Sequence, residues 1–162
     1  MVESEAHRRM RKEVEKRLEE KGVDFISSHS PDSEGSGPAF YLDDPRREGK
    51  TKSSLQISQP DILVKEDGAV SVIEIEKEAK TPKYLLGDLY AVVHSECYSD
   101  ELGRVNKIGE VNKVYILIGE KRSEKGYKAG QYENLVEQLR EKCEVKFGIF
   151  WKDGVVDLVE EC

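Results

Sequence analysis

Cysteine is scarce in this 162-residue chain: Cys97, Cys143 and Cys162 are an odd number, and no two stand in a CxxC spacing. That spacing fits neither a disulfide framework nor a cysteine zinc site, and it leaves three free thiols that read as packing residues. Aromatic residues are few, at 7%, and no apolar run approaches the roughly 20 residues that cross a bilayer. The opening "MVESEAHRRMRKEVEKRLEEKG" lacks the apolar stretch of a secretion signal, so the expected location is cytoplasmic. Positive charge is short too, with 26 Lys and Arg against 33 Asp and Glu and a net charge of −7. A protein that coats nucleic acid through bulk charge is therefore not expected, whereas a local basic groove stays compatible.

What is present suits a polar but globular chain, 37% hydrophobic and 36% charged, long enough for one domain with a core that needs no staples. Ala6, Met10, Val14 and Leu18 fall at four-residue steps and predict an amphipathic helix over residues 3–21, ended by Gly22. A short strand follows at 23–28, and residues 29–52, rich in Pro, Gly, Ser and charge, predict a long loop, functional or disordered. "SSLQIS" and "DILV" read as strand interrupted at Pro60, "KEDG" as a turn and "AVSVIEIE" as a buried strand. A helix is predicted from Thr81 as N-cap and Pro82 as first residue through Tyr98, then a strand over 111–120 and a helix in "YENLVEQLREKC". The closing "VKFGIFWKDGVVDLV" reads as a hairpin turning at Lys152 to Gly154, with Trp151 as a packing residue. The sum is an α/β architecture with a mixed sheet between helices.

The chemistry concentrates in "VIEIEKEAKTP", where Glu74, Glu76 and Glu78 alternate, although Glu78 is expected to lie past the strand end. With Asp67 and Gly68 at the centre of the turn, cross-strand partners have numbers summing to 135. Lys65 then faces Val70, Leu63 faces Val72 and Asp61 faces Glu74, while Gln59 is the neighbour of Glu76. Opposed side chains lie about 4.5–5.5 Å apart at Cβ, where like charges are destabilising unless something neutralises them. Hard oxygen donors suit Mg²⁺ or Mn²⁺, and phosphodiester chemistry is the natural use of such a site.

Pro60-Asp61, twelve intervening residues and Glu74-Ile75-Glu76, within the element order of residues 3–120, resemble the restriction-endonuclease-like, or PD-(D/E)XK, nuclease superfamily. The resemblance implies an α-βββ-α-β core, here with a C-terminal helix and hairpin added, and a Mg²⁺- or Mn²⁺-dependent endonuclease acting on DNA ahead of RNA. Asp61 and Glu74 would be metal ligands, and Glu76, standing where a lysine is usual, would bind metal or position the attacking water. Lys83, at the start of the next helix, is the candidate to stand in for that lysine, and the N-terminus of that helix is a plausible phosphate anchor. Glu13 is the candidate acid from the first helix, with Glu20 close behind. Arg46, Arg47, Lys50 and Lys52 would touch the nucleic-acid backbone, or else form an ordinary solvated loop; "EKRSEKGYKAG" at 120–130 is a second basic loop of the same two readings. A homodimer is expected, because a single small domain needs a partner to cut both strands. The alternative is a catalytically inactive protein of this fold that binds nucleic acid or a protein partner. His7, His29 and His94 have no ligand-like spacing and receive no catalytic role.

Overall fold

Ser4 begins the first helix by accepting the His7 N–H on its hydroxyl at 3.2 Å, and α1 runs Glu5–Lys21 until Gly22, at φ 77°, closes it in the left-handed region. A computed structural model describes residues 3–27, 37–47, 49, 55–78, 82–120, 134–135, 137–138, 141 and 145–162. Met10, Val14 and Leu18 of the expected stripe are buried, whereas Ala6 is exposed.

The strands β1 (Phe25–Ser27), β4 (Ile62–Glu66) and β5 (Ala69–Glu78) form an antiparallel meander, and between β1 and β4 the chain makes β2 (Ala39–Tyr41) and β3 (Gln56–Ser58). Gly68, at φ 69°, turns β4 into β5, and the observed pairs, Ile62↔Ile73 through Glu66↔Ala69, follow the register expected from the sequence. Strand β5 is longer than expected, because Glu78 still pairs with Glu120 of the parallel strand β8 (Glu110–Glu120). Between β5 and β8 come α2 (Pro82–Val93), β6 (Cys97–Ser99) and β7 (Val105–Lys107); β9 (Lys146–Trp151) then adds in parallel to β8. The larger sheet is therefore mixed, five-stranded, in the order β1-β4-β5-β8-β9.

Three sequence expectations are corrected. Helix α2 begins at Pro82 as foreseen but stops at Val93 rather than Tyr98, because the chain leaves it to pair Cys97–Ser99 with β2; the Glu96 N–H already donates to the Tyr41 carbonyl at 2.9 Å. Part of the expected 29–52 loop is ordered as β2, which with β3, β6 and β7 builds a second antiparallel sheet in the order β3-β2-β6-β7. The final hairpin is instead β9, a 3₁₀ turn (Lys152–Gly154) and α3 (Val155–Glu161), whose Val155, Leu158 and Val159 are buried at helical spacing. Asn134, Leu135, Glu137, Gln138 and Glu141 are helical, in the segment where a helix was expected.

Each face of the larger sheet carries a core. On one, Met10, Val14 and Leu18 of α1 and Val155 and Leu158 of α3 meet Ile62, Val64, Ile73, Ile75 and Leu117. On the other, Leu89 and Val92 of α2 and Phe40 of the small sheet meet Leu63, Val70, Val72, Ile116 and Ile118. Cys97 is buried beside Ala39 and Tyr41, where desolvation pushes its thiol up, so it serves as packing. Trp151 and Phe147 also pack on the core, as expected. Among the described residues no helix is long and apolar enough to cross a membrane.

Strand β5 and helix α1 both crowd Gly119 of β8: a Cβ there would lie 2.7 Å from the Lys77 carbonyl oxygen of β5 and 2.8 Å from Met10 Cε of α1. Gly119→Ala should destabilise the protein by about 1–3 kcal/mol, since a backbone atom cannot step aside. Gly87→Ala, in α2 with nothing within 4 Å, should be neutral or stabilise by up to about 1 kcal/mol. Urea unfolding of the two variants beside the parent checks both signs.

Candidate active site

The backbone ladder of the β4–β5 hairpin ends at Ile62↔Ile73, since Pro60 has no N–H with which to extend it. At the next pair the side chains take over. The Asp61 carboxylate accepts the Ile75 N–H on Oδ2 at 2.8 Å, and Glu74 Oε2 accepts the Asp61 N–H at 3.4 Å. The two acids expected to oppose each other thus cross-link the strand end reciprocally, each carboxylate on the other strand's backbone. Glu74 and Glu76 continue the face of Val70 and Val72, and both are half-buried. Gln59 does not enter this ladder: Gln56–Ser58 belongs to β3 of the small sheet, where Ser58 pairs with Phe40, and Glu76 lies beside Ile118 of β8.

The residue that reaches Asp61 from α1 is His7, which received no role from the sequence. Its Nε2 lies 3.2 Å from Asp61 Oδ1 and its Nδ1 is 2.7 Å from Glu3 Oε1. An ionised carboxylate only accepts hydrogen bonds, so a ring between two of them must donate from both nitrogens and be the imidazolium. The hydrogen bond to Asp61 is the main cause that raises the His7 pKa to about 9; burial of the ring opposes the rise and Glu3 adds to it. Glu3 in turn is gripped by Arg11, whose Nε and Nη2 donate to its two oxygens at 2.8 and 3.1 Å.

The signal for this group was available in the sequence. Glu3, His7, Arg11 and Glu15 stand at four-residue steps, a polar stripe beside the apolar one of Met10, Val14 and Leu18. Glu13, the acid expected from α1, is instead on the other flank: it is half-exposed, pairs with Arg17 at 3.4 Å, and lines an open cavity of about 410 Å³ with Arg9, Met10, Gly119 and Lys152. Glu20 is exposed and 3.9 Å from Lys16.

Arg46 and Arg47 are exposed, but their charges are matched locally. Arg46 forks onto Asp44 at 2.8 and 2.7 Å and reaches the Val105 carbonyl, while Arg47 lies 2.8 Å from Asp43. Lys50, Lys52, Thr81 and the loop from Lys121 to Gly130 lie outside the described residues, and of Lys83 only its place in the first turn of α2 is described.

Among the described residues no three His, Cys, Asp or Glu side chains converge closely enough to hold an ion as they stand. The donor set nevertheless suits a hard cation. Each carboxylate oxygen accepts at two positions, so one hydrogen bond on each oxygen of Asp61 leaves it acceptor capacity.

His7 also makes stability depend on pH in a defined direction. Its folded pKa lies above the unfolded value of 6.5, so its contribution is complete below pH 6.5 and is lost as pH rises toward about 9. In EDTA, urea unfolding at pH 6 and pH 9.5 should show a loss of about 1–3 kcal/mol attributable to this group. The His7→Gln protein should show correspondingly less pH dependence over the same interval.

No family model, curated protein or solved structure matches the chain.

Proposed function

We infer that the protein is a divalent-metal-dependent nuclease with a restriction-endonuclease-like core, hydrolysing phosphodiester bonds in DNA ahead of RNA. The observation that supports the reading is the juxtaposition of Asp61 and Glu74 at the end of the hairpin, cross-linked through each other's strand, with Glu76 next along the same face. The element order α1, β1-β4-β5, α2, β8 within a mixed sheet supports it as well.

Asp61 and Glu74 would hold Mg²⁺ or Mn²⁺, with Glu76 completing the oxygen set. When bound, such an ion offers Lewis-acid stabilisation of the charge that develops on a phosphodiester. Glu76, half-buried one side-chain step beyond Glu74, orients the attacking water or takes its proton. The His7 ring, 3.2 Å from Asp61 Oδ1, keeps that carboxylate aimed at the strand end. The first turn of α2, containing Lys83, follows the acids directly in the chain and would contact a flanking phosphate. Two copies, each cutting one strand, would complete a double-strand break.

A second reading is favoured by one observation: both Asp61 oxygens are already engaged, by Ile75 and by His7. On that reading the acids fasten the hairpin, and the protein binds nucleic acid or a protein partner without cutting.

Plasmid, single-stranded DNA and RNA incubated with Mg²⁺, Mn²⁺ or EDTA separate the two. The nuclease reading expects metal-dependent cleavage that falls by about a hundredfold or more in Asp61→Ala and Glu76→Gln. Cleavage that persists in EDTA, or in both variants, overturns it; retention of nucleic acid without cleavage under every metal condition supports the second.

A further inference from the structure

Helix α1 is fastened to the sheet by Met10, Val14 and Leu18, so its polar stripe is not required to hold the helix down. That stripe contains Arg11, a guanidinium only 4% exposed, and its donors are spoken for: Nε and Nη2 fork onto Glu3, and Nη1 donates to Glu15 at 2.5 Å and to Ser27 Oγ at 3.5 Å. The Ser27 hydroxyl also donates to Glu15, which ties the far end of the stripe to β1.

We propose that Arg11 and Glu3 are positioning residues that act through His7 to fix the plane of the Asp61 carboxylate, an inference that rests on the nuclease reading of that acid. The geometry forms a directed chain. A bidentate fork onto a carboxylate fixes its plane as well as its place, so Glu3 Oε1 is set where His7 Nδ1 must meet it at 2.7 Å. With one ring nitrogen pinned, the other is aimed at Asp61 Oδ1 at 3.2 Å, and Asp61 Oδ2 is held by the strand backbone at Ile75. Both oxygens are thereby restrained from opposite sides, one by α1 and one by β5.

A network built only for stability would be a poor device. Removing charges from water costs several kcal/mol per ion, and buried ion pairs are often replaced by apolar side chains with no loss. Here one branch of the buried charge closes through Glu15 and Ser27, while the other runs through Glu3 and His7 and ends on a carboxylate at the strand end. This is the arrangement by which outer residues orient the ligands of a site, and their loss typically weakens binding by about 10–100-fold.

The test uses the full chain, with Mn²⁺ as the probe, in calorimetric titrations of the parent, Glu3→Gln, Arg11→Lys and Arg11→Met, and the Ile75 backbone amide followed by NMR in each. Glu3→Gln is nearly isosteric, so it keeps the test open where Arg11→Met does not fold. The relay expects Glu3→Gln and Arg11→Met to shift the Ile75 amide resonance and to weaken Mn²⁺ binding by about tenfold or more, with Arg11→Lys in between. A parent that binds Mn²⁺ beside a folded Glu3→Gln that binds it equally, or leaves the Ile75 amide unmoved, overturns the relay and leaves the nuclease reading standing. A parent that neither binds Mn²⁺ nor cleaves overturns the nuclease reading, and with it the purpose assigned to the relay.

Discussion

Asp67 and Gly68 close a two-residue turn, and the position of that turn decides which residues of β4 and β5 meet. Hydrophobic patterning alone would leave this register loosely specified, because the hairpin is buried on both faces: Leu63 and Val72 enter one core, Ile62, Val64 and Ile73 the other. A slip of one residue would exchange apolar side chains for apolar ones. What it would not preserve is the strand end, where Asp61 must find the Ile75 N–H and Glu74 must find the Asp61 N–H. The turn at one end and the acids at the other pin the same register, and every distance at the candidate site depends on it.

Pro60 explains why carboxylates stand at that end. With no N–H to donate, it stops the ladder, and the backbone groups just beyond need partners that the strands no longer supply. Asp61 and Glu74 supply them. Glu76 lies two residues further along the same strand and on the same face as Glu74, beside Ile118 of β8.

What the sequence made legible was local. The Met10, Val14 and Leu18 part of the α1 stripe, the Asp67-Gly68 register and Pro82 at the head of α2 each depend on residues within a few positions of one another, and each appears in the structure. The small sheet was hidden because its strands are three residues long and pair across long separations, Phe40 with Tyr98 and Tyr41 with Cys97. No periodicity can be read in three residues, and tertiary pairing overrode the helical pattern that ran on past Val93. The last segment misled for a related reason: "KDG" is a good turn, but the apolar residues after it, Val155, Leu158 and Val159, were spaced for a helix. The polar stripe Glu3-His7-Arg11-Glu15 was visible as spacing, yet its meaning was not, because that depends on Asp61 arriving from a different part of the chain.

Formal charge gives Glu76 a sharper meaning on the nuclease reading. With a lysine at this position, Asp61 and Glu74 would be balanced by that lysine and by His7, and the four groups would sum to zero without any ion. With Glu76 the same four groups sum to −2, three carboxylates against one imidazolium. Like charges gathered at one strand end repel, and in a partly buried setting that repulsion is screened less than at the surface. On that reading a divalent cation would offset this charge, and the departure from the usual motif moves the burden of activating water from an amine to a carboxylate on the same face.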